Sequence, residues 1–178
     1  MSMDDRVEDR EGLTLLDGAG MVTGAAVASI HIRGVMPSMM PPVGWVLVWV
    51  AFAGVALTAA GPFVFLGRRF GRRTVGYPRV GDKLWAMWGI PWVLTALLRT
   101  SSPGIGPQRG DLVALGLSVG LGLASLVALA VVWKTWVLVP PEEVARGEPT
   151  PWTNRVGLVL SVAWPLQCGF GFFVIEAR

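Results

Sequence analysis

Charged residues leave long gaps along this chain, and apolar residues fill the gaps. The clearest gap, 43–66, has 24 residues without a charge, so as a helix it would be about 36 Å long at roughly 1.5 Å per residue. The hydrocarbon core of a bilayer is about 30 Å thick. A second segment, 112–139, is also uncharged apart from Lys134 near its end, where a lysine can reach the headgroups. Both segments are predicted to span a membrane as helices.

Three further segments give weaker patterns. Segment 156–175 has 20 residues but contains Pro165, which removes a backbone hydrogen bond and bends a helix. Segment 84–100 has only 15 residues between Lys83 and Arg99. As a helix it would have to thin the bilayer, or the side chains of Lys83 and Arg99 would have to extend to the headgroups. Segment 13–36 has an uncharged stretch of 15 residues, 18–32, which lies between the length of a span and that of a buried helix.

These patterns predict an all-α, polytopic membrane protein, a helical bundle of five transmembrane helices, or of four if segment 13–36 does not cross. Residues 13–178 form one transmembrane domain in this prediction, and residues 1–12 form an acidic cytoplasmic tail. Because a secretory signal begins with positive charge, we expect no cleaved signal peptide. Asp17 is the expected amino-terminal cap of the first helix.

Composition agrees with a lipid environment. Hydrophobic residues make up 53% and charged residues 15% of the chain, whereas soluble domains average about 25% charged residues. Mean hydropathy is +0.57. The single cysteine and single histidine exclude an intrachain disulfide framework and most histidine-rich metal sites.

The connection 67–83 predicts the orientation. Its basic residues are Arg68, Arg69, Arg72, Arg73, Arg79 and Lys83. Cytoplasmic loops are enriched in Lys and Arg, so this connection should be cytoplasmic. With five spans, the basic residues on the opposite side are only Arg33, Arg99, Arg109 and Arg178. The chain is therefore predicted to lie in a bacterial cytoplasmic (inner) membrane with its amino terminus in the cytoplasm.

Four arginines of this connection, Arg68, Arg69, Arg72 and Arg73, are candidates for contact with anionic lipid headgroups. A basic residue near such a surface gains about 1 kcal/mol. The simpler interpretation, which we favour, is that these residues only fix the orientation. No aromatic platform accompanies them, so we expect no nucleic acid partner.

The string Gly116, Leu117, Ser118 resembles the Gly-x-Ser of rhomboid-type intramembrane proteases, in which a serine on one helix meets a histidine on another. The resemblance covers only these few residues, and the glycine that such proteases place after the serine is Val119 here. It implies a dyad of Ser118 and His31, whose predicted depths in the membrane are comparable.

Helix packing is the alternative interpretation of this region, and we favour it. Small residues at four-residue spacing let membrane helices approach closely. Two such stripes are Gly116, Gly120, Ala124 and Ala128 in the fourth segment and Gly20, Gly24 and Ala28 in the first. We expect the two stripes to face each other. Expected partners are the lipid bilayer and other membrane helices, including those of a homo-oligomer.

The methionine-rich stretch that follows His31 has a chemical interpretation and a structural one. Met36, Met39 and Met40 follow His31, and thioethers with an imidazole suit Cu(I). Because no second cluster of soft ligands exists in the sequence, we favour an apolar interfacial loop and expect no metal or other cofactor.

Trp85, Trp88 and Trp92 fall on one face of the third segment. Such a face could stack on a pigment, quinone or sterol. We favour packing against helices or lipid.

The favoured function is non-catalytic, that of an accessory, assembly or scaffold subunit acting by helix packing. A small oligomeric permease or channel is an alternative, with a path lined by Ser118, Ser125, Thr95 and Gln167. The absence of Asp and Glu from the four clearest spans counts against proton-coupled transport. An intramembrane serine hydrolase is the second alternative.

Overall fold

Every regular element that the structure describes is an α-helix, which confirms the predicted all-α class. The computed structural model describes residues 13–33, 42–71, 78–101, 108–136 and 151–176. The helices are α1 (Leu15–Ile32), α2 (Pro42–Gly71), α3 (Val80–Ser101), α4 (Gln108–Trp136) and α5 (Trp152–Glu176). Each helix coincides with one predicted segment, in the predicted order. The predicted tail, 1–12, lies outside the described residues.

The start of α1 is fixed by two reciprocal hydrogen bonds. The Thr14 hydroxyl accepts from the Asp17 amide at 3.1 Å, and the Asp17 carboxylate accepts from the Thr14 amide at 2.9 Å. Such a pair is a capping box. Thr14 is therefore the N-cap, and Asp17 supports it from the third helical position instead of being the cap itself.

α3 is longer than the predicted span 84–100. It begins at Val80 and has 22 residues, which corresponds to about 33 Å. Its first turn is stabilised by Asp82, whose Oδ2 accepts a hydrogen bond from the Arg79 amide at 2.9 Å. A hydropathy pattern does not reveal this turn, because Asp82 and Lys83 make it too polar. With the extra turn, α3 is as long as the hydrocarbon core is thick.

Three helical segments are long and apolar enough to cross a membrane, namely Leu15–Ile32, Pro42–Phe70 and Val113–Lys134. In each of the last two segments, only 22% of the most apolar 18-residue stretch is buried inside the protein. Large side chains such as Trp49 (63%) and Leu126 (65%) are exposed there. Soluble monomers rarely expose such wide apolar surfaces. The structure is thus compatible with an integral membrane protein.

α3 lies at the centre of the bundle. It packs against α2, α4 and α5 and more lightly against α1, while α1 packs along α2, and α5 also touches α2. Within the described residues, α4 has substantial contact with α3 alone. The starts of α1, α3 and α5 meet the end of α2 at one end of the bundle, called here the Arg68 end. The ends of α1 and α3 meet at the opposite end, the Arg99 end.

Glycines set the distance between α3 and its neighbours. At Gly61 in α2, a Cβ atom would collide with the backbone carbonyl group of Trp85 in α3. Gly157 in α5 meets the backbone of Gly81 in the same way. Because lipid removes the hydrophobic driving force between helices, close backbone packing becomes a main source of their association.

Gly61→Ala should destabilise the protein, because the added methyl group must push α2 and α3 apart. Overpacking of this kind costs about 1–3 kcal/mol. Gly54→Ala in the same helix is the matched control, since no atom of the described residues lies within 4 Å of a Cβ at that position. Thermal unfolding in detergent, followed by circular dichroism, should show a lower midpoint for Gly61→Ala only. Equal midpoints would contradict the close contact of α2 with α3.

Candidate functional site

A buried ion pair joins α1 to α2 at the Arg68 end. α2 continues to Gly71, beyond its predicted end at residue 66, and Arg68 lies in this added part. Its Nε donates to Asp17 Oδ1 at 2.9 Å, and its Nη2 donates to Asp17 Oδ2 at 2.8 Å. The Asp17 side chain is fully buried, and that of Arg68 is 14% exposed. The bidentate geometry fixes both side chains in direction as well as in distance.

Arg68 also connects this pair to α5 and α3. Its guanidinium carbon lies 5.1 Å from the centroid of the Trp152 indole, a distance at which a cation is attracted to the ring face. The Trp152 ring meets the Trp85 ring edge-on, with 5.7 Å between centroids. Trp85 Nε1 in turn donates to Leu57 O at 2.8 Å. One cation therefore takes part in contacts that involve four helices.

Asp82 brings a second buried carboxylate to the same end. It is 2% exposed and lies within the electrostatic influence of Arg68. The buried Thr153 hydroxyl lies beside the Asp82 carboxylate, yet neither this hydroxyl nor Asp82 Oδ1 has a partner in hydrogen-bond geometry in the described part of the chain. Beside them, the Gly81 amide donates to Asn154 Oδ1 at 2.8 Å, which joins α3 to α5.

His31 joins α1 to α3 at the Arg99 end. Its Nε2 lies 2.9 Å from Trp92 O and 3.4 Å from Thr95 Oγ1. Arg99 Nη1 donates to the carbonyl oxygens of His31 at 2.9 Å and Ile30 at 3.2 Å. Carbonyl groups in the last turn of a helix lack partners within that helix. Arg99 of α3 therefore caps the end of α1.

Three indoles fill the middle of the bundle. The side chains of Trp85, Trp88 and Trp92 are buried, which is expected if this face of α3 packs against other helices. Trp88 Nε1 donates to Ser161 Oγ in α5 at 2.8 Å, and the Trp92 ring meets the His31 ring edge-on. Trp92 Nε1 is buried without a hydrogen-bond partner among the described residues. The tryptophan face is thus occupied by helices of the protein itself.

Ser118 and His31 do not form the dyad that the protease resemblance implies. Gly116 and Gly120 of α4 lie towards α3, and Ser118 falls two residues from each, on the opposite, exposed face. The His31 imidazole is instead bonded to α3. No hydrogen bond between Ser118 and His31 exists in the structure, in which both residues are described.

The two small-residue stripes contact different helices. Gly20 and Gly24 of α1 lie against α2, where a Cβ atom at Gly24 would be only 2.7 Å from the Ala60 amide nitrogen. Gly116 and Gly120 of α4 lie against α3. The expectation that the stripes face each other is therefore wrong, because each already has another neighbour.

The remaining predicted site residues are placed as follows. Arg69 is exposed on α2, while Arg72, Arg73, Met36, Met39 and Met40 lie outside the described residues. Headgroup contact by the arginines and Cu(I) binding by the methionines stay predictions. Among the residues that the structure describes, no three His, Cys, Asp or Glu side chains come together as metal ligands.

The sequence matches no protein-family model, and no curated protein and no solved structure is significantly similar to it. Its function is therefore inferred from the arrangement of its own side chains.

Of the two residues in the Arg68–Asp17 pair, only Asp17 is marked by a sequence pattern. Thr14 and Asp17 fit the pattern of Ser or Thr followed three residues later by an acid, which marks a helix start. Nothing distinguishes Arg68 from the other basic residues of the connection 67–83. The pair spans 51 residues of sequence, so only the arrangement of the helices identifies it.

Arg68→Gln should destabilise the protein strongly, because it leaves the buried Asp17 carboxylate without its counter-charge. Breaking a buried pair in this way costs about 3–5 kcal/mol. Arg69→Gln, which removes a neighbouring exposed charge, should change stability by no more than about 0.5 kcal/mol. The measurement is the thermal midpoint in detergent.

A double variant tests the pairing itself. Asp17→Asn combined with Arg68→Gln removes both charges and should be more stable than Arg68→Gln alone, since no buried charge is left unpaired. Additive losses from the two substitutions would contradict a direct interaction between the side chains.

Proposed function

We propose that this chain is a polytopic protein of a bacterial inner membrane, with five spans and its amino terminus in the cytoplasm. The exposed apolar surfaces of α2 and α4 support insertion, because lipid is the environment in which such surfaces carry no cost. The 22 residues of α3 and the 25 of α5 are long enough for two further crossings. The basic connection 67–83 adjoins the Arg68 end, which supports a cytoplasmic position for that end.

Cysteines at the two ends of α3 test both the crossing and the orientation. Lys83 and Ser101 are exposed at opposite ends of this helix. In a Cys168→Ser background, a membrane-impermeant maleimide added to intact spheroplasts should label Ser101→Cys, and it should label Lys83→Cys only after permeabilisation. Labelling of both positions in intact spheroplasts would contradict the crossing. The reverse pattern would contradict the orientation.

The role proposed for the protein is that of a non-catalytic accessory, assembly or scaffold subunit that binds another membrane helix through α4. The observation that supports this proposal is that α4, within the described residues, has substantial contact with α3 alone. On the exposed side of α4, Ser118 and Gly122 are four residues apart, a spacing that lets a second helix approach closely. Leu115 (61%) and Leu126 (65%) lie exposed on either side of them.

The interior of the bundle supports packing over transport. Thr95 and Ser125, two of the side chains suggested for a solute path, donate to carbonyl groups of their own helices. Ser118 is exposed on the outer surface of α4, and the Gln167 side chain lies outside those described. The space around α3 is filled by indoles, and the polar side chains at both ends join one helix to another.

A photo-crosslinking amino acid at residue 122 tests the α4 surface in native membranes. It should give a discrete protein adduct, because a packed helix would lie against this position. Residue 169 in α5 is the matched control, since it is also a glycine and no described atom lies within 4 Å of a Cβ there. An adduct of twice the protein's mass identifies a second copy, and another mass identifies a different partner. The absence of any protein adduct at 122, or the same adducts at 169, would contradict the proposal.

A further inference from the structure

A cleft opens between α1 and α2 at the Arg99 end, away from the ion pair and from α4. Its volume is about 460 Å³, within the range of about 300–1,000 Å³ that is usual for ligand sites. The lining residues are Ser29, Ile32, Arg33, Val48, Trp49 and Phe52. The cleft is therefore large enough to hold part of an organic molecule.

The walls of this cleft are apolar. Ile32 from α1 and Val48 from α2 supply aliphatic surface, and the rings of Trp49 and Phe52 meet edge-on with 5.8 Å between their centroids. The Ser29 hydroxyl donates to Ala25 O within α1. These walls suit a hydrocarbon chain.

One end of the cleft is cationic. Arg33 lies at the end of α1, is exposed, and lines the same cleft as Trp49. Tryptophan is enriched at the depth of the lipid headgroups in membrane proteins, so in the membrane proposed above the guanidinium and the indole are the pair expected beside phosphate groups. Arg99, which lies at the same end of the bundle, donates to the carbonyl groups of Ile30 and His31 and does not line the cleft. Arg33 is thus the cation that faces the cleft.

A molecule that fills this cleft must combine a hydrocarbon chain with a negative group at one end. We propose that the cleft binds one anionic phospholipid, with its phosphate at Arg33 and one acyl chain along Val48 and Phe52. Arginine is well suited to phosphate because its planar group donates two parallel hydrogen bonds. The site lies at the opposite end of the bundle from the basic connection 67–83, and it requires neither the proposed orientation nor the proposed role of α4.

Native mass spectrometry of the detergent-purified protein tests the site. Phosphatidylglycerol and phosphatidylcholine with identical acyl chains are the two probes, because they differ in net headgroup charge. The wild-type protein should retain one phosphatidylglycerol about fivefold more tightly than phosphatidylcholine, the factor expected from about 1 kcal/mol per basic residue. Equal retention of the two lipids would overturn the proposal.

Two substitutions separate the site from general charge attraction. Arg33→Gln should reduce phosphatidylglycerol retention to the level of phosphatidylcholine, while Arg155→Gln, an exposed arginine at the start of α5, should leave it unchanged. Ser29→Leu keeps every charge but fills the cleft, so it should also reduce retention. Equal losses from Arg33→Gln and Arg155→Gln, or full retention in Ser29→Leu, would overturn the proposal. Thermal midpoints show whether each variant is folded, and if Arg33→Gln is not, Ser29→Leu decides the question.

Discussion

The packing of α1, α2 and α5 at one end of the bundle depends on the guanidinium of Arg68. It binds both oxygens of Asp17 and lies over Trp152, so α1, α2 and α5 meet at one cation. A buried charge that loses its partner costs several kcal/mol. The pair therefore fixes the position of α1 along α2. Sliding α1 by one turn, about 5.4 Å, would separate the two charges completely.

The ion pair fixes the positions of the helices along their axes, and the glycine contacts fix the distances between the helices. Gly61 brings α2 against the backbone of Trp85, and Gly157 brings α5 against Gly81. These contacts surround α3, which carries charged residues close to both of its ends. A helix of this kind is poorly suited to face lipid along its whole length. Placing α3 at the centre gives the indoles of Trp85 and Trp88 and the amide of Gly81 acceptors on neighbouring helices, and it leaves the more apolar α2 and α4 on the outside.

Elements that depend on local pattern could be predicted from the sequence, and contacts between distant residues could not. Long uncharged stretches located α2 and α4, and Gly20 and Gly24, two of the small residues noted in the sequence, lie close to α2. Asp82 obscured the first turn of α3, because a hydropathy pattern counts its charge and not the hydrogen bond by which it supports the helix start. The suggested dyad failed because equal depth does not bring Ser118 and His31 to facing sides. Which neighbour a face meets depends on how the helices are arranged around α3.

α5 follows α4 in the chain but packs on α3 and α2. Trp88 Nε1 finds its acceptor at Ser161, and the Gly81 amide finds its acceptor at Asn154, both on α5. Because α5 is the last described helix in the chain, these donors on α3 find their acceptors only once the chain has passed through α4. The indole over Arg68 also arrives only with α5. The core around α3 is thus completed by the last described helix, and not by the helix that follows α3 in the chain.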